Sequence, residues 1–376
     1  MDRLGNKAEV EPQISAYLHY KSKEQGIPLS GTFELTSRCN FNCKMCYIHN
    51  SECNHGAAEL PAEWWIQVGK EAAQQGMLFL LLTGGEPLAR PDFSYIYTEL
   101  KKLGLLISIN TNGSLLKGEI AELFRKDPPT RLNVSLYGTS DDAYERFTGL
   151  RAFSTVVENI KRMDSYGIDV KLNCSLTPDN QAEMEQIFNL AQELDLHIKT
   201  TSYMYPQIRT GASVGENQCR MTAEEAAACR VGWSKLRYDE EEFLLRAKGM
   251  EKGISMFPMD CPEEREAEGV RCRAGSSSFW LNYEGMMSMC GMIDKGFDVK
   301  TLGFTDAWNQ VREFTAKVTL PKDCSNCQYR HFCHVCAAVA YTETGDFSNR
   351  PDYVCRMCKE VARLTRLERE RLEKTL

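Results

Sequence analysis

The chain has 376 residues and a formal net charge of −7, with 43% hydrophobic and 26% charged residues. That composition describes a soluble globular protein with enough length for a substantial core, as one large domain or two to three smaller ones. The acidic balance argues against a nucleic-acid partner, which would call for a basic face, and leaves room for a basic peptide.

The first residues, MDRLGNKAEVEPQISAYL, contain no apolar core and no cleavage site of the kind that marks a signal peptide. The longest apolar run, Met77–Leu82, is far too short to cross a bilayer. The expected location is therefore cytoplasmic, with no membrane partner.

From Gly31 to about Pro206, short apolar runs alternate with amphipathic stretches. The runs predict strands at Gly31–Ser37, Met77–Thr83, Leu105–Asn110, Leu132–Tyr137, Asp169–Leu176 and Ile198–Tyr205. Helical patterns at Pro61–Gln75, Asp92–Leu103 and Phe153–Tyr166 fall between them. Repeated β-α units of this length predict an α/β fold with a parallel sheet, either a barrel or an open sheet. Thr222–Lys252 reads as a charged helical segment leading out of that domain. The stretch 261–358 is loop-rich and cysteine-rich, and 359–376 reads as a charged helix. The expected layout is thus a lead at 1–30, a barrel or sheet at 31–235, a helical linker at 236–260, a cysteine-rich domain at 261–358 and a terminal helix.

Sixteen cysteines are many for a chain in a reducing compartment, where dense cysteines point to metal or redox work rather than disulfides. Cys39, Cys43 and Cys46 are spaced x3 and x2 just after the first predicted strand. Three thiolates can hold three irons of a cubane and leave the fourth open. A zinc site would need a fourth ligand, for which Cys53 and His49 are near in sequence. Thr83-Gly84-Gly85-Glu86-Pro87 follows the second strand and Thr111-Asn112-Gly113 the third. In β/α folds, chemistry gathers at these C-terminal strand ends, so one shared site is expected.

Cys39-x3-Cys43-x2-Cys46 together with Gly84-Gly85-Glu86-Pro87 resembles the two signature motifs of the radical S-adenosylmethionine (SAM) family. The resemblance covers roughly Gly31–Pro206 and implies a partial (β/α)6 barrel. It also implies a [4Fe–4S] cluster on Cys39, Cys43 and Cys46, with SAM bound on the open iron. Gly84, Gly85, Glu86 and Pro87 would then serve the methionine end of SAM. Glycines allow close backbone approach there, and the Glu86 carboxylate can pair with an amino group. On the same resemblance, Ser135 and Asn173 are candidates for the ribose and Met204 for the adenine. Met45 stands before Cys46 where the family often has an aromatic residue. A flavodoxin- or ferredoxin-type electron donor is implied as well.

A second cysteine field runs Cys272-x12-Gly285-x4-Cys290, then Cys324-x2-Cys327-x5-Cys333-x2-Cys336, then Cys355 and Cys358. By spacing alone this fits two metal centres, zinc ribbons among the options. It resembles the SPASM extension of radical SAM enzymes, which carries two auxiliary [4Fe–4S] clusters, with one residue fewer between Cys333 and Cys336. The resemblance implies one cluster on Cys272, Cys290 and Cys336, with Cys261 as the expected fourth ligand and Cys358 as a competitor. The other cluster would take Cys324, Cys327, Cys333 and Cys355. His331 and His334 fall inside the field and are expected to be peripheral. Cys53, Cys174, Cys219 and Cys229 are expected to be small buried hydrophobes. Cys174 should face away from Asn173 and Ser175 by the two-residue strand period.

SPASM enzymes mostly act on peptides or proteins, so the resemblance implies hydrogen abstraction from a peptide. Oxidation or crosslinking would follow, with the auxiliary clusters accepting the electron. Gly291 and Met292 follow Cys290 where sulfatase-maturating enzymes carry an aspartate, which argues against that activity. The thirty or so residues before the first strand are too few for a leader-binding domain, so a leader would bind the barrel, the auxiliary domain or a separate protein. The alternative is radical dehydrogenation or epimerisation of a small molecule such as a sugar or amino-acid derivative.

Overall fold

The computed structural model describes residues 13–48, 59–251, 269–324, 327–333 and 335–375. His49, Cys53, Cys261 and His334 lie outside these segments.

After helix α1 (Gln13–Gln25), six strands follow in β/α order: β1 (Ser30–Glu34), β2 (Phe79–Thr83), β3 (Leu106–Thr111), β4 (Arg131–Ser135), β5 (Val170–Ser175) and β6 (Ile198–Thr201). All neighbouring pairs are parallel and in chain order. The helices are α2 (Ala62–Gln74), α3 (Phe93–Lys101), α4 (Gly118–Lys126), α5 (Asp141–Thr148), α6 (Phe153–Ser165) and α7 (Met184–Glu193). Strands such as β2, Phe-Leu-Leu-Leu-Thr, are apolar throughout because a parallel sheet of this kind is covered on both faces. On β4 and β5, Leu132, Val134, Leu172 and Cys174 are fully or almost fully buried, whereas Asn133, Ser135, Asn173 and Ser175 are half-buried on the opposite face. Cys174 thus faces away from Asn173 and Ser175, as the alternation predicts. Together these features form the partial barrel of an α/β fold.

The segment read from sequence as helical over Thr222–Lys252 forms two helices, α8 (Ala223–Arg237) and α9 (Glu240–Glu251). The first starts in a capping box between Thr222 and Glu225. The break falls at Tyr238–Asp239, because Asp239 turns its carboxylate onto the Glu242 amide at 2.9 Å and starts a new helix.

The cysteine-rich region does not stand apart from the sheet. Its strand β7 (Ser278–Leu281) pairs in parallel with β1, Phe33 opposite Leu281, on the free side of that strand. Short antiparallel strands β8 (Met286–Ser288) and β9 (Phe297–Asp298) extend it, giving nine strands in the order β6-β5-β4-β3-β2-β1-β7-β8-β9. Phe279 on β7 packs on Phe33, Phe304 and Trp308, so the core runs through the junction. Helices α10 (Val299–Leu302), α11 (Phe304–Ala316) and α12 (Ala337–Thr344) follow. The terminal helix α13 spans Asp352–Thr375, seven residues longer at its start than the charge pattern suggested. Tyr353, Val354, Met357, Cys358, Val361 and Ala362 form its buried stripe, so the two cysteines sit on helix rather than on a loop. α13 packs along α8 and α9.

Candidate active site and cysteine centres

Cys39, Cys43 and Cys46 lie on the loop after β1, at the mouth of the barrel. That loop is tied down from several sides. Asn42 donates its amide to Thr148 O at 2.8 Å, at the end of α5. Gln207, beyond β6, donates to Lys44 O at 3.1 Å and Cys46 O at 2.9 Å. Asn112 at the end of β3 reaches Asn40 Oδ1 at 2.9 Å and the Cys39 sulfur at 3.8 Å, and Asn40 bonds Ser114 in return. Burial pushes the Cys39 thiol up to about 12 and the Cys43 thiol up as well, so a metal must displace their protons to bind.

The Gly84–Pro87 turn is stitched to the stretch leading into Cys39. Gly85 donates to Thr36 O and Glu86 to Arg38 O, both at 2.8 Å. Gly84 has φ +147°, and a Cβ there would run into Thr36 O; one on Gly85 would run into Arg38 O. Part of the need for glycine is therefore this backbone-to-backbone approach, a reason not visible in the motif. The Glu86 side chain is completely buried. Its Oε1 accepts from Leu88 N at 3.1 Å and Thr111 Oγ1 at 2.9 Å, and its Oε2 from Asn112 N at 2.7 Å. The carboxylate expected to meet an amino group thus braces the ends of β2 and β3. Burial outweighs these donors and raises its pKa to about 7. Arg90, 4% exposed, completes the brace through Leu35 O at 2.7 Å.

Ser135 and Asn173 are register partners on β4 and β5 and stand side by side on the half-buried face. Met204, 7% exposed, follows β6 at the same end of the sheet.

Sequence reading missed a buried network that joins the barrel mouth to the second cysteine field. Glu34, the last residue of β1, has no exposed surface. Arg209 grips it with both terminal nitrogens, at 2.8 and 2.7 Å, and Trp280 Nε1 donates to it at 2.6 Å. Arg209 also donates to Gly291 O at 2.6 Å, next to Cys290, and lies over the Tyr47 ring, next to Cys46. A Cβ on Gly291 would strike the Trp280 ring. The available signal was a carboxylate at the end of the first strand, directly after Phe33 and before Leu35.

The second field divides into two groups. Cys272, Cys290 and Cys336 are electrostatic neighbours of one another around Tyr205, whose hydroxyl is 3.9 Å from Cys336 Sγ. Cys324, Cys327, Cys333, Cys355 and Cys358 line a single cavity of about 730 Å3. Cys358 therefore joins the second group rather than the first. Its single S–H has Tyr329 O at 3.3 Å and the Cys333 sulfur as alternative acceptors, and donation to Cys333 holds the Cys333 thiol below its ordinary value. The cavity and its five thiols suit a multi-iron cluster held by soft ligands. Among the described residues, no three His, Cys, Asp or Glu side chains are arranged to hold a single metal ion. Also among them, no helix is long and apolar enough to cross a membrane.

A barrel with a three-cysteine loop at its mouth, braced by a Gly-Gly-Glu-Pro turn, defines an enzyme of the iron–sulfur, SAM-dependent kind. Residues 33–191 match the Radical SAM superfamily, so the chain carries a radical SAM domain. Its cofactors are SAM and a [4Fe–4S] cluster. The AdoMet-dependent heme synthase of Methanosarcina barkeri (strain Fusaro / DSM 804) is 26% identical over 341 residues, covering 85% of this chain and 94% of that protein. Among solved structures, native anSMEcpe with bound AdoMet aligns with a TM-score of 0.67 at 16% identity, over 93% of this chain and 100% of that one. Streptococcus suis SuiB bound to precursor peptide SuiA aligns at 0.63 and 15% identity, over 93% and 82%. These two likenesses extend the shared fold well past the barrel.

Proposed function

We propose that the protein is a peptide-modifying radical SAM oxidoreductase with a SPASM-type auxiliary domain. Cys39, Cys43 and Cys46 hold the SAM-binding cluster. The Gly84–Pro87 turn lies by the methionine end of SAM, with the Glu86 carboxylate bracing it from behind. Ser135 and Asn173 would serve the ribose, and Met204 the adenine. When bound, the cluster and SAM supply a 5′-deoxyadenosyl radical from one donated electron. Such chemistry would serve hydrogen abstraction from a C–H bond of a substrate held at the barrel mouth. Auxiliary clusters, if held by the second cysteine field, would supply the electron acceptor that a net two-electron oxidation or crosslink requires. Cys272, Cys290 and Cys336 form one auxiliary centre, with Cys261 as candidate fourth ligand. Cys324, Cys327, Cys333 and Cys355 form the other. A flavodoxin- or ferredoxin-type protein donates the electron.

The observation that carries this reading is the division of the thiols into three groups, one at the barrel mouth and two beside it. The chain-wide likeness in fold to SuiB with its precursor peptide supports a peptide as substrate. A second reading, radical oxidation of a tetrapyrrole precursor, is favoured by the 26% identity to a heme synthase over 85% of this chain.

Anaerobically reconstituted protein tests both. Three cubanes predict about twelve irons per chain. A short peptide encoded beside the gene should lose two hydrogens by mass spectrometry, with one 5′-deoxyadenosine formed per product. Turnover of an iron porphyrin, with no change in any such peptide, would sink the peptide reading in favour of the second. Intact clusters that form no 5′-deoxyadenosine would sink both.

A further inference from the structure

Tyr205 stands where the barrel and the first auxiliary group meet. It follows β6 directly after Met204, and its hydroxyl is 3.9 Å from Cys336 Sγ, with Cys290 and Cys272 as further neighbours. The residue is held at its backbone and at its ring. Asn217 donates to the Tyr205 carbonyl at 2.6 Å. The ring packs edge-on against Tyr203, centroids 5.0 Å apart, and Tyr203 is itself fixed by a 2.7 Å bond to Glu343 Oε1. Glu343 in turn is paired with Arg220 at 2.7 Å, both side chains mostly buried. Ring packing on Tyr203 thus keeps the phenol beside the sulfur.

We propose that Tyr205 is a positioning residue that donates a hydrogen bond to the Cys336 thiolate and raises the reduction potential of the first auxiliary centre. This rests on the reading of Cys272, Cys290 and Cys336 as ligands of that centre. A thiol bound to iron has lost its proton and can only accept, whereas a neutral phenol has one to give. Hydrogen bonds to ligand sulfurs withdraw electron density from iron and favour the reduced cluster. A higher potential suits a centre that must take an electron from a substrate radical. Tyr205 tunes that centre from the barrel side, on the same loop as Met204.

Tyr205→Phe keeps the ring and its packing and removes only the donor. In the reconstituted holoenzyme, EPR-monitored redox titration should show one auxiliary centre shifted to a more negative potential. Iron content and the potential of the SAM-binding cluster should stay as in wild type. Tyr203→Phe, which loses the bond to Glu343 but touches no thiol, should leave the potentials unshifted. An unshifted auxiliary potential in Y205F overturns the inference while leaving the auxiliary centres standing. Loss of iron in Y205F overturns it as well, since the phenol would then be a ligand. Wild-type protein with only four irons would sink the auxiliary-centre reading, and the inference with it.

Discussion

Replacing Arg209 with alanine removes three hydrogen bonds at once: two to Glu34 and one to Gly291 O. Among the described residues, Glu34 then keeps the Trp280 Nε1 donor alone, inside a site with no exposed surface. Breaking a buried pair by deleting one partner costs about 3–5 kcal/mol, because the remaining charge has lost both water and counter-charge. An exposed pair in the same protein, Arg131–Asp169 with 39% and 48% of the side chains accessible, provides the contrast. There, R131A should cost at most about 1 kcal/mol. Equilibrium urea unfolding followed by tryptophan fluorescence measures both. If the uncompensated charge is the cause, adding Glu34→Gln to R209A should recover part of the loss. A cost for R209A no larger than that for R131A, or a double variant less stable than R209A alone, would refute the reasoning.

Three further outcomes follow from the geometry. Gly85→Ala places a methyl group against Arg38 O and should disconnect the turn from the cysteine loop, so iron bound at the SAM site should fall by more than half. Glu86, raised from its ordinary 4.5 to about 7 by burial, binds more protons folded than unfolded between those values. Its contribution to stability is full below about pH 4.5 and falls by about 3 kcal/mol as pH rises to 7. The difference between wild type and Glu86→Gln in urea midpoints across pH 4.5–7.5 isolates it, and parallel profiles would contradict the assignment. Because Cys358 lines the same cavity as Cys355 one helical turn away, C355A should keep most of the iron of the second auxiliary centre. The double variant C355A/C358A should lose about four irons. Loss of those irons from C355A alone would show that Cys358 cannot stand in.

The repeating β/α pattern and the cysteine motif were legible because both are local. Strand periods record which face is covered, and x3-x2 spacing records three thiolates on one short loop. Each predicted strand overlaps an observed one, with ends shifted by up to four residues in either direction. The opposition of Cys174 to Asn173 and Ser175 followed from the same period. Long-range pairing was not legible. Nothing near Ser278 announces that β7 will lie along β1, 248 positions earlier by register, because the information is in the complementary free strand edge.

By itself, the sequence determined the class of chemistry: three clustered thiols, a glycine-rich turn and a second cysteine field. These are properties of short segments and survive without any knowledge of contacts. Only the tertiary structure decided how the segments serve one another. It put the Glu86 carboxylate onto β3 rather than leaving it open, set Cys358, unassigned by spacing, beside the second thiol group, and joined Glu34, Arg209, Trp280 and Gly291 in one buried network. The physical reason is common to all three. A buried charge or thiol takes its state from partners brought by folding, and those partners lie tens to hundreds of residues away.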